Sequence, residues 1–229
     1  MTEYSRRNII ITVLYNDVIF ESEEYMQRES TTQELILEAG KQEFLENGFQ
    51  GSSLRKIAKR AGVTTGAVYG YYQSKEDLFE ALVQEAYQTF MRVFQDAQDR
   101  FAQLPQEEQL RHLGILSANA MEALVYDIYD QFDAFRLLLC CAQGTKYEQF
   151  IHELSEMEVE ATHRFMQVLR DLGYTVPKWD PWLEHILVSA MFSGFFEIVV
   201  HEMPLEQAIA FTRELNIFYT AGWKKIMGL

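Results

Sequence analysis

The chain has 229 residues, with 20 Lys and Arg against 34 Asp and Glu and a net charge of −14. At 48% hydrophobic with only 12 Gly and 4 Pro, it holds enough apolar material for one large domain or two small ones. Collagen-like, low-complexity and wholly disordered chains are excluded.

So few Gly and Pro favour long uninterrupted helices, and the expected fold class is all-α. The only cysteines are the adjacent Cys140 and Cys141. They cannot build a disulfide framework, which points to a reducing cytoplasm. No apolar run approaches the roughly 20 residues of a membrane helix, so no membrane contact is expected.

Residues 1–27 differ in character from the rest. Arg6 and Arg7 precede the strand-prone run Ile9–Tyr15, which has no partner strand and no signal-peptide cleavage site. This stretch reads as a disordered or non-native extension, with Met26 the expected true start.

Regular structure is expected from Thr31, where Thr31-Thr32-Gln33-Glu34 fits a capping box. Apolar residues then recur at helical spacing up to a stop at Asn47-Gly48. Ser52 or Ser53 caps a second helix over Leu54–Ala61, and Gly62 provides a tight turn. Thr64 or Thr65 caps a third short helix through Tyr72, and Ser74-Lys75-Glu76-Asp77 opens a much longer one. The second and third helices, joined through glycine, form a helix-turn-helix unit with Ile57, Val63, Val68 and Tyr72 as its small core.

Charge singles out the same window. Residues 50–75 carry Arg55, Lys56, Lys59, Arg60 and Lys75 and no acid, whereas residues 80–229 carry a net −11. An acidic body repels DNA everywhere except at such a window and thereby orients an encounter. The third helix offers Thr65, Gly66, Ala67, Tyr69 and Tyr71, small or hydroxyl-bearing side chains that permit close approach to a major groove.

The run Ser53-Leu54-Arg55-Lys56-Ile57-Ala58-Lys59-Arg60-Ala61-Gly62-Val63-Thr64-Thr65-Gly66-Ala67-Val68-Tyr69-Gly70-Tyr71-Tyr72-Gln73-Ser74-Lys75-Glu76-Asp77-Leu78 resembles the DNA-binding signature of the TetR/AcrR family of transcriptional regulators. The resemblance covers about residues 31–79. It implies a DNA-binding domain over residues 28–75 and a helical effector-binding and dimerisation domain over residues 76–229.

It also implies roles for individual residues. Ser53 and Arg55 start a bracing helix, and Thr64, Thr65, Gly66 and Ala67 lead the recognition helix. Tyr69, Tyr71 and Lys75 fall at phosphate-contacting positions. Gly70 departs from the bulkier residue many members carry. The implied function is a repressor released from its operator by a small molecule. A DNA-binding factor that is structural or protein-regulated shares every residue of this window and stays open as the alternative.

Further along, one helix is expected over 75–103, a second from Pro105 to about Tyr129, and a third over Thr145–Leu172. Two strongly apolar helices follow, over 179–203 and 204–226, and these suit a four-helix bundle across a two-fold axis. A dimer is also required physically, because two recognition helices must be about 34–36 Å apart to meet successive major-groove faces.

A ligand pocket among the middle helices draws on Phe90, Phe94, Met121, Tyr126, Phe135, Leu139, Phe165 and Met166. Aromatics and methionines at helical spacing are, however, core more often than ligand lining. Such walls suit a small apolar molecule, and a scattered acid such as Glu122 or Glu158 leaves room for one that is also cationic. Glu148, His152, Glu156, Glu160 and His163 share one helix and read as a solvated face rather than a metal site. There is no phosphate loop, nucleophile elbow or HExxH motif. Neither enzyme activity nor a cofactor is expected.

Overall fold

The computed structural model describes residues 31–229, and the readings made on residues 1–30 lie outside it. The described residues are helical throughout apart from turns and short connections. Residues 31–51 (α1), Leu54–Ala61 (α2) and Thr65–Tyr71 (α3) form the reading head. There follow Lys75–Ala102 (α4), Gln106–His112 (α5), Ile115–Asp130 (α6), Phe132–Arg136 (α7), Phe150–Asp171 (α8), Pro181–Val200 (α9) and Leu205–Met227 (α10). A π-helical turn, Leu137–Cys141, prolongs α7, and a 3-10 turn, Lys146–Gln149, leads into α8.

Local chemistry accounts for the head. Ser53 Oγ accepts from the Lys56 amide, Thr64 Oγ1 from the Ala67 amide and Ser74 Oγ from the Asp77 amide, so three successive helices start on side-chain caps. Gly62 ends α2 at φ 70°, a conformation that excludes most side chains. Ile57, Val68 and Tyr72 are buried beneath the α2–α3 crossing, with Val63 half-buried beside them.

One expected boundary of α1 shifts. Thr31 is the first described residue and is helical. The helix passes left-handed Gly48 (φ 66°) and runs on to residue 51. Ser52 Oγ ties this last turn down by donating to the carbonyls of Gly48 and Glu43.

Contacts at successive positions give the layout of the body. Tyr87–Glu153, Gln98–Glu158 and Phe101–Phe165 make α8 parallel to α4. His163–Glu184 and Ser155–Ser189 make α9 antiparallel to α8, and Arg213–Glu122 with Asn216–Ser117 makes α10 antiparallel to α6.

The single helix expected from Pro105 is broken. Gly114, at φ 90°, separates α5 from α6, and a Cβ there would meet Thr220 Cγ2 at 2.5 Å. The break therefore lets the chain pass close against α10. The helix expected from Thr145 likewise begins as a 3-10 turn, capped by Thr145 Oγ1 on the Tyr147 amide.

One apolar core runs without interruption from Ile36 in α1 to Ala208 in α10. The head is thus fused to the body rather than tethered to it. Lys41 Nζ of α1 lies 3.1 Å from Asp133 of α7, and Phe79 of α4 packs on Tyr147.

The expectation about membrane length needs correction. α9 is 20 residues long with a mean hydropathy of 1.6, enough by length and composition to cross a bilayer. Its inner side, with Val188, Phe192, Phe195, Phe196 and Val199, is buried within the protein. Trp182, Ile186 and Val200 lie on its outside.

Candidate nucleic-acid interface and ligand cavity

The outer edge of the head is built by α2 and α3. Arg55, Lys59, Thr64, Gly66, Tyr69 and Gly70 are exposed, and Ser53, Thr65, Ala67 and Tyr71 are half-buried. Tyr69 is the most projecting apolar feature of the edge, at 56% exposure. Ser53 and Thr64 use their hydroxyl oxygens as helix caps. Each keeps its hydroxyl hydrogen to donate to an anion such as a phosphate.

The basic window divides into two sets. Lys56 and Arg60 turn towards α1, where both lie 3.5 Å from the buried carboxylate of Glu43 and Arg60 also pairs with Glu46. Among the described residues, Arg55 and Lys59 have no carboxylate partner and point their charge outwards. Lys59 was not singled out as a contact in the sequence. Its signal was present there: it lies four residues after Arg55 and therefore on the same helical face.

Lys75 is not a free arm. Its ammonium donates to the Phe49 carbonyl at 2.7 Å and the Ser52 carbonyl at 3.1 Å, and it lies 4.2 Å from the Phe49 ring centroid. Two of its hydrogens thus fasten the end of α1 to the start of α4, leaving one for an external anion. Gly70 faces open space, with no atom within 4 Å of an added Cβ.

The body encloses a cavity of about 370 Å³, within the range of about 300–1,000 Å³ common for small-molecule sites. Phe90, Phe94, Met121 and Phe165 line it as expected. Four expected residues do not. Tyr126 is exposed on the outer side of α6. Phe135 is core, packed edge-on against Phe90, and so lies behind the wall. Leu139 sits in the π-turn against the core, and Met166 is buried outside the lining.

α9 and α10, read from the sequence as dimer helices only, also wall the cavity through Phe192, Phe195, Leu215 and Trp223. Their outer faces expose Trp182 at 77%, Ile217 at 68% and Phe218 at 72%. These are large apolar side chains on the same two helices.

Of the two acids considered, Glu122 is on the outside, where Arg213 Nε and Nη2 each donate to it at 2.8 Å. Glu158 lines the cavity. Burial pushes its carboxyl up to about 7, against the opposing effects of the Gln98 hydrogen bond and the Arg164 charge. Gln98 Nε2 donates to Glu158 at 2.9 Å, while Gln98 Oε1 is buried without a partner. Asn216 Nδ2 donates to Ser117 Oγ at 2.7 Å and adds a second polar spot to a mostly apolar wall.

Comparison with known proteins agrees with this geometry. The family described as bacterial regulatory proteins, tetR family, matches residues 36–82. The HTH-type transcriptional repressor BepR of Brucella suis biovar 1 is 27% identical over 173 residues, which cover 74% of this chain and 81% of that protein. The fatty acid metabolism regulator protein of Bacillus subtilis is 36% identical over 66 residues, 28% of this chain and 34% of that relative. A bacterial regulatory protein in the tetR family from Rhodococcus RHA1 shares the fold, with a TM-score of 0.55 at 18% identity, over 82% of this chain and 96% of that one.

Proposed function

The chain belongs to the TetR/AcrR family of transcriptional regulators, and from that premise we propose that it is a dimeric, cytoplasmic repressor released from its operator by a small apolar molecule. The observation that carries this reading is the continuity of α4. This helix has 28 residues, about 42 Å at 1.5 Å per residue. Its first turn is latched to the head by Lys75, and its second half lines the cavity from Phe90 to Ala102. A molecule that wedges against that half shifts the first turn and hence the spacing of two paired heads.

In this reading the reading-head domain spans 28–75 and the sensor and dimerisation domain 76–229. Arg55, Lys59, Tyr69, Tyr71, Ser53 and Lys75 hold phosphates, which set affinity and register. Thr64, Thr65, Gly66 and Ala67 approach the bases. Threonine and alanine are poor bidentate readers, so methyl contacts, Arg55 and DNA shape supply the specificity. The exposed apolar faces of α9 and α10 pair with those of a second copy.

BepR is named a repressor, which supports repression as the mode here. Glu158 supports an effector that carries a cation within an apolar frame: binding ionises its carboxyl and supplies the buried charge with a partner. Coupling between effector and DNA of about 1–3 kcal/mol is sufficient for regulation.

The test is operator selection from random duplexes with the purified protein, followed by a release screen of apolar amines. Ala97→Trp fills the cavity from α4 and serves as the discriminating variant. The expected result is a two-fold symmetric site bound by the wild type, with release that Ala97→Trp alters. Failure to bind any duplex at low salt, or release that is indifferent to the filled cavity, refutes the reading.

A further inference from the structure

His152 and Glu156 lie one helical turn apart on α8, and on that helix alone they read as part of a solvated face. Folding brings a third donor from another helix. His185 of α9 joins them, and the ligand atoms of all three lie within 4.8 Å of one another. The two imidazole rings are 5.7 Å apart between centroids, at 67° to each other. Two imidazoles and a carboxylate form a donor set suited to Zn²⁺, Ni²⁺ or Cu²⁺ rather than to Ca²⁺ or Mg²⁺.

A hydrogen-bond chain behind His185 gives an independent reason. Ser155, fully buried, donates its hydroxyl hydrogen to the Ile151 carbonyl at 2.7 Å. Ser189 donates to Ser155 Oγ at 3.3 Å. With that hydrogen committed, Ser189 Oγ faces His185 Nε2, 3.5 Å away, as an acceptor, which favours the ring hydrogen on Nε2. In that tautomer Nδ1 turns its lone pair to Glu156 Oε1, 3.4 Å away. The two repel until a cation, a proton or a metal ion, lies between them. An acceptor that takes the hydrogen of the far ring nitrogen, and so orients the ring, is the usual support of a metal-ligating histidine.

We propose that His152, Glu156 and His185 form a zinc-class metal site that staples α8 to α9, with a fourth position open to water. The remaining groups of this face are committed elsewhere: His163 pairs with Glu184 at 2.8 Å, and Glu160 pairs with Arg164 at 2.9 Å. The site adjoins Trp182 and Ile186 in α9, so the ion fixes how that exposed face is held.

The test uses tag-free, chelator-stripped full-length protein titrated with Zn²⁺ by calorimetry, and with Co²⁺ by visible absorption. One ion bound per chain is expected, together with a Co²⁺ band of low-coordinate nitrogen and oxygen ligation and a Tm that rises with Zn²⁺ concentration. His152→Ala and His185→Ala should each lower the affinity at least tenfold and abolish the Tm rise, with circular dichroism confirming the fold. His152 is exposed, so its variant keeps the test valid if His185→Ala unfolds. His201→Ala, which removes a histidine paired with Glu197 elsewhere on the surface, should bind as the wild type does. The absence of a saturable site, or a site that survives both His152→Ala and His185→Ala, overturns the proposal. Ligand protonation with no metal uptake also overturns it.

Discussion

The head and the body of this molecule are both helical, yet they are packed to different standards. In the head, Ile36, Phe44, Ile57 and Val68 are all at 0% exposure, as are Leu78 and Phe79 of α4 where it packs beneath them. Phe44, Phe49 and Phe79 meet in stacked and edge-on pairs 5.2–5.9 Å apart. The body keeps a cavity of about 370 Å³ and leaves Gln98 Oε1, Thr212 Oγ1, Trp179 Nε1 and Glu184 Oε1 buried without hydrogen bonds, whereas the described part of the head has one such atom, Glu43 Oε1. Close packing tolerates little displacement, while incomplete packing leaves stabilisation that a ligand can supply. A reading edge has to keep one shape and a sensor has to accept two, and the two regions are built accordingly.

The same truncation placed in each region tests that contrast most severely. Phe44→Ala removes a fully buried ring from the head and should cost about 3–5 kcal/mol. Phe94→Ala trims a ring that already borders empty space, so the cost should be about 1–2 kcal/mol. Chemical denaturation of the two variants reads the difference directly. Equal losses would mean that the cavity wall is as tightly supported as the head.

Glu158 gives the next largest effect. Its folded carboxyl titrates near 7, above the ordinary value of 4.5. Across that window the folded chain holds a proton that the unfolded chain has already released. Its contribution to stability therefore falls as pH rises from about 4.5 to about 7 and stays lost above that, on the order of 3 kcal/mol in all. Glu158→Gln removes this dependence. The variant should gain on the wild type as pH rises and gain nothing near pH 4.5. Parallel Tm-against-pH curves would show that the carboxyl is not held in the apolar wall.

How far each region could be read from the sequence follows from the range of its signals. The head is specified by neighbours in the chain. Ser53, Thr64 and Ser74 cap the residues that immediately follow them, and Gly62 turns where a left-handed residue is required, so caps, turn and small core are all visible within about twenty-five residues.

The cavity is specified by register between distant helices. Its walls come from α4, α5, α6, α8, α9 and α10, and helical spacing alone does not say which side of a helix faces inwards. Tyr126 and Met121 look equivalent in sequence, yet Met121 turns to the cavity and Tyr126 to solvent. Phe135 has the composition of a wall but lies behind Phe90. His185 completes a donor set only because α9 returns antiparallel along α8, a pairing that no local motif announces.

Within the head, the latch can be separated from the reading edge. Lys75→Ala removes two hydrogen bonds made by a half-buried ammonium and should cost about 2 kcal/mol of stability. Arg55→Ala removes an exposed charge with no carboxylate partner among the described residues. It should leave stability within about 0.5 kcal/mol. Its effect should appear instead in DNA titrations across salt concentration, where the slope flattens by about one unit. If Lys75→Ala leaves Tm unchanged, the coupling of head to body does not run through this lysine.

The smallest expected effect bears on whether α3 meets the bases at all. Gly70 lies inside α3, is exposed, and has nothing within 4 Å of an added Cβ. Gly70→Ala therefore lowers the entropy of the unfolded chain without strain and should stabilise the protein by about 0.5–1 kcal/mol. A methyl group on the outer face of α3 also intrudes wherever that face lies against a groove. Operator selection with the variant should then show a changed base preference or weaker binding, despite the higher Tm. If stability rises while affinity and base preference stay as in the wild type, Gly70 stands clear of the DNA. The readout would then belong to the leading end of the helix, at Thr64, Thr65 and Ala67.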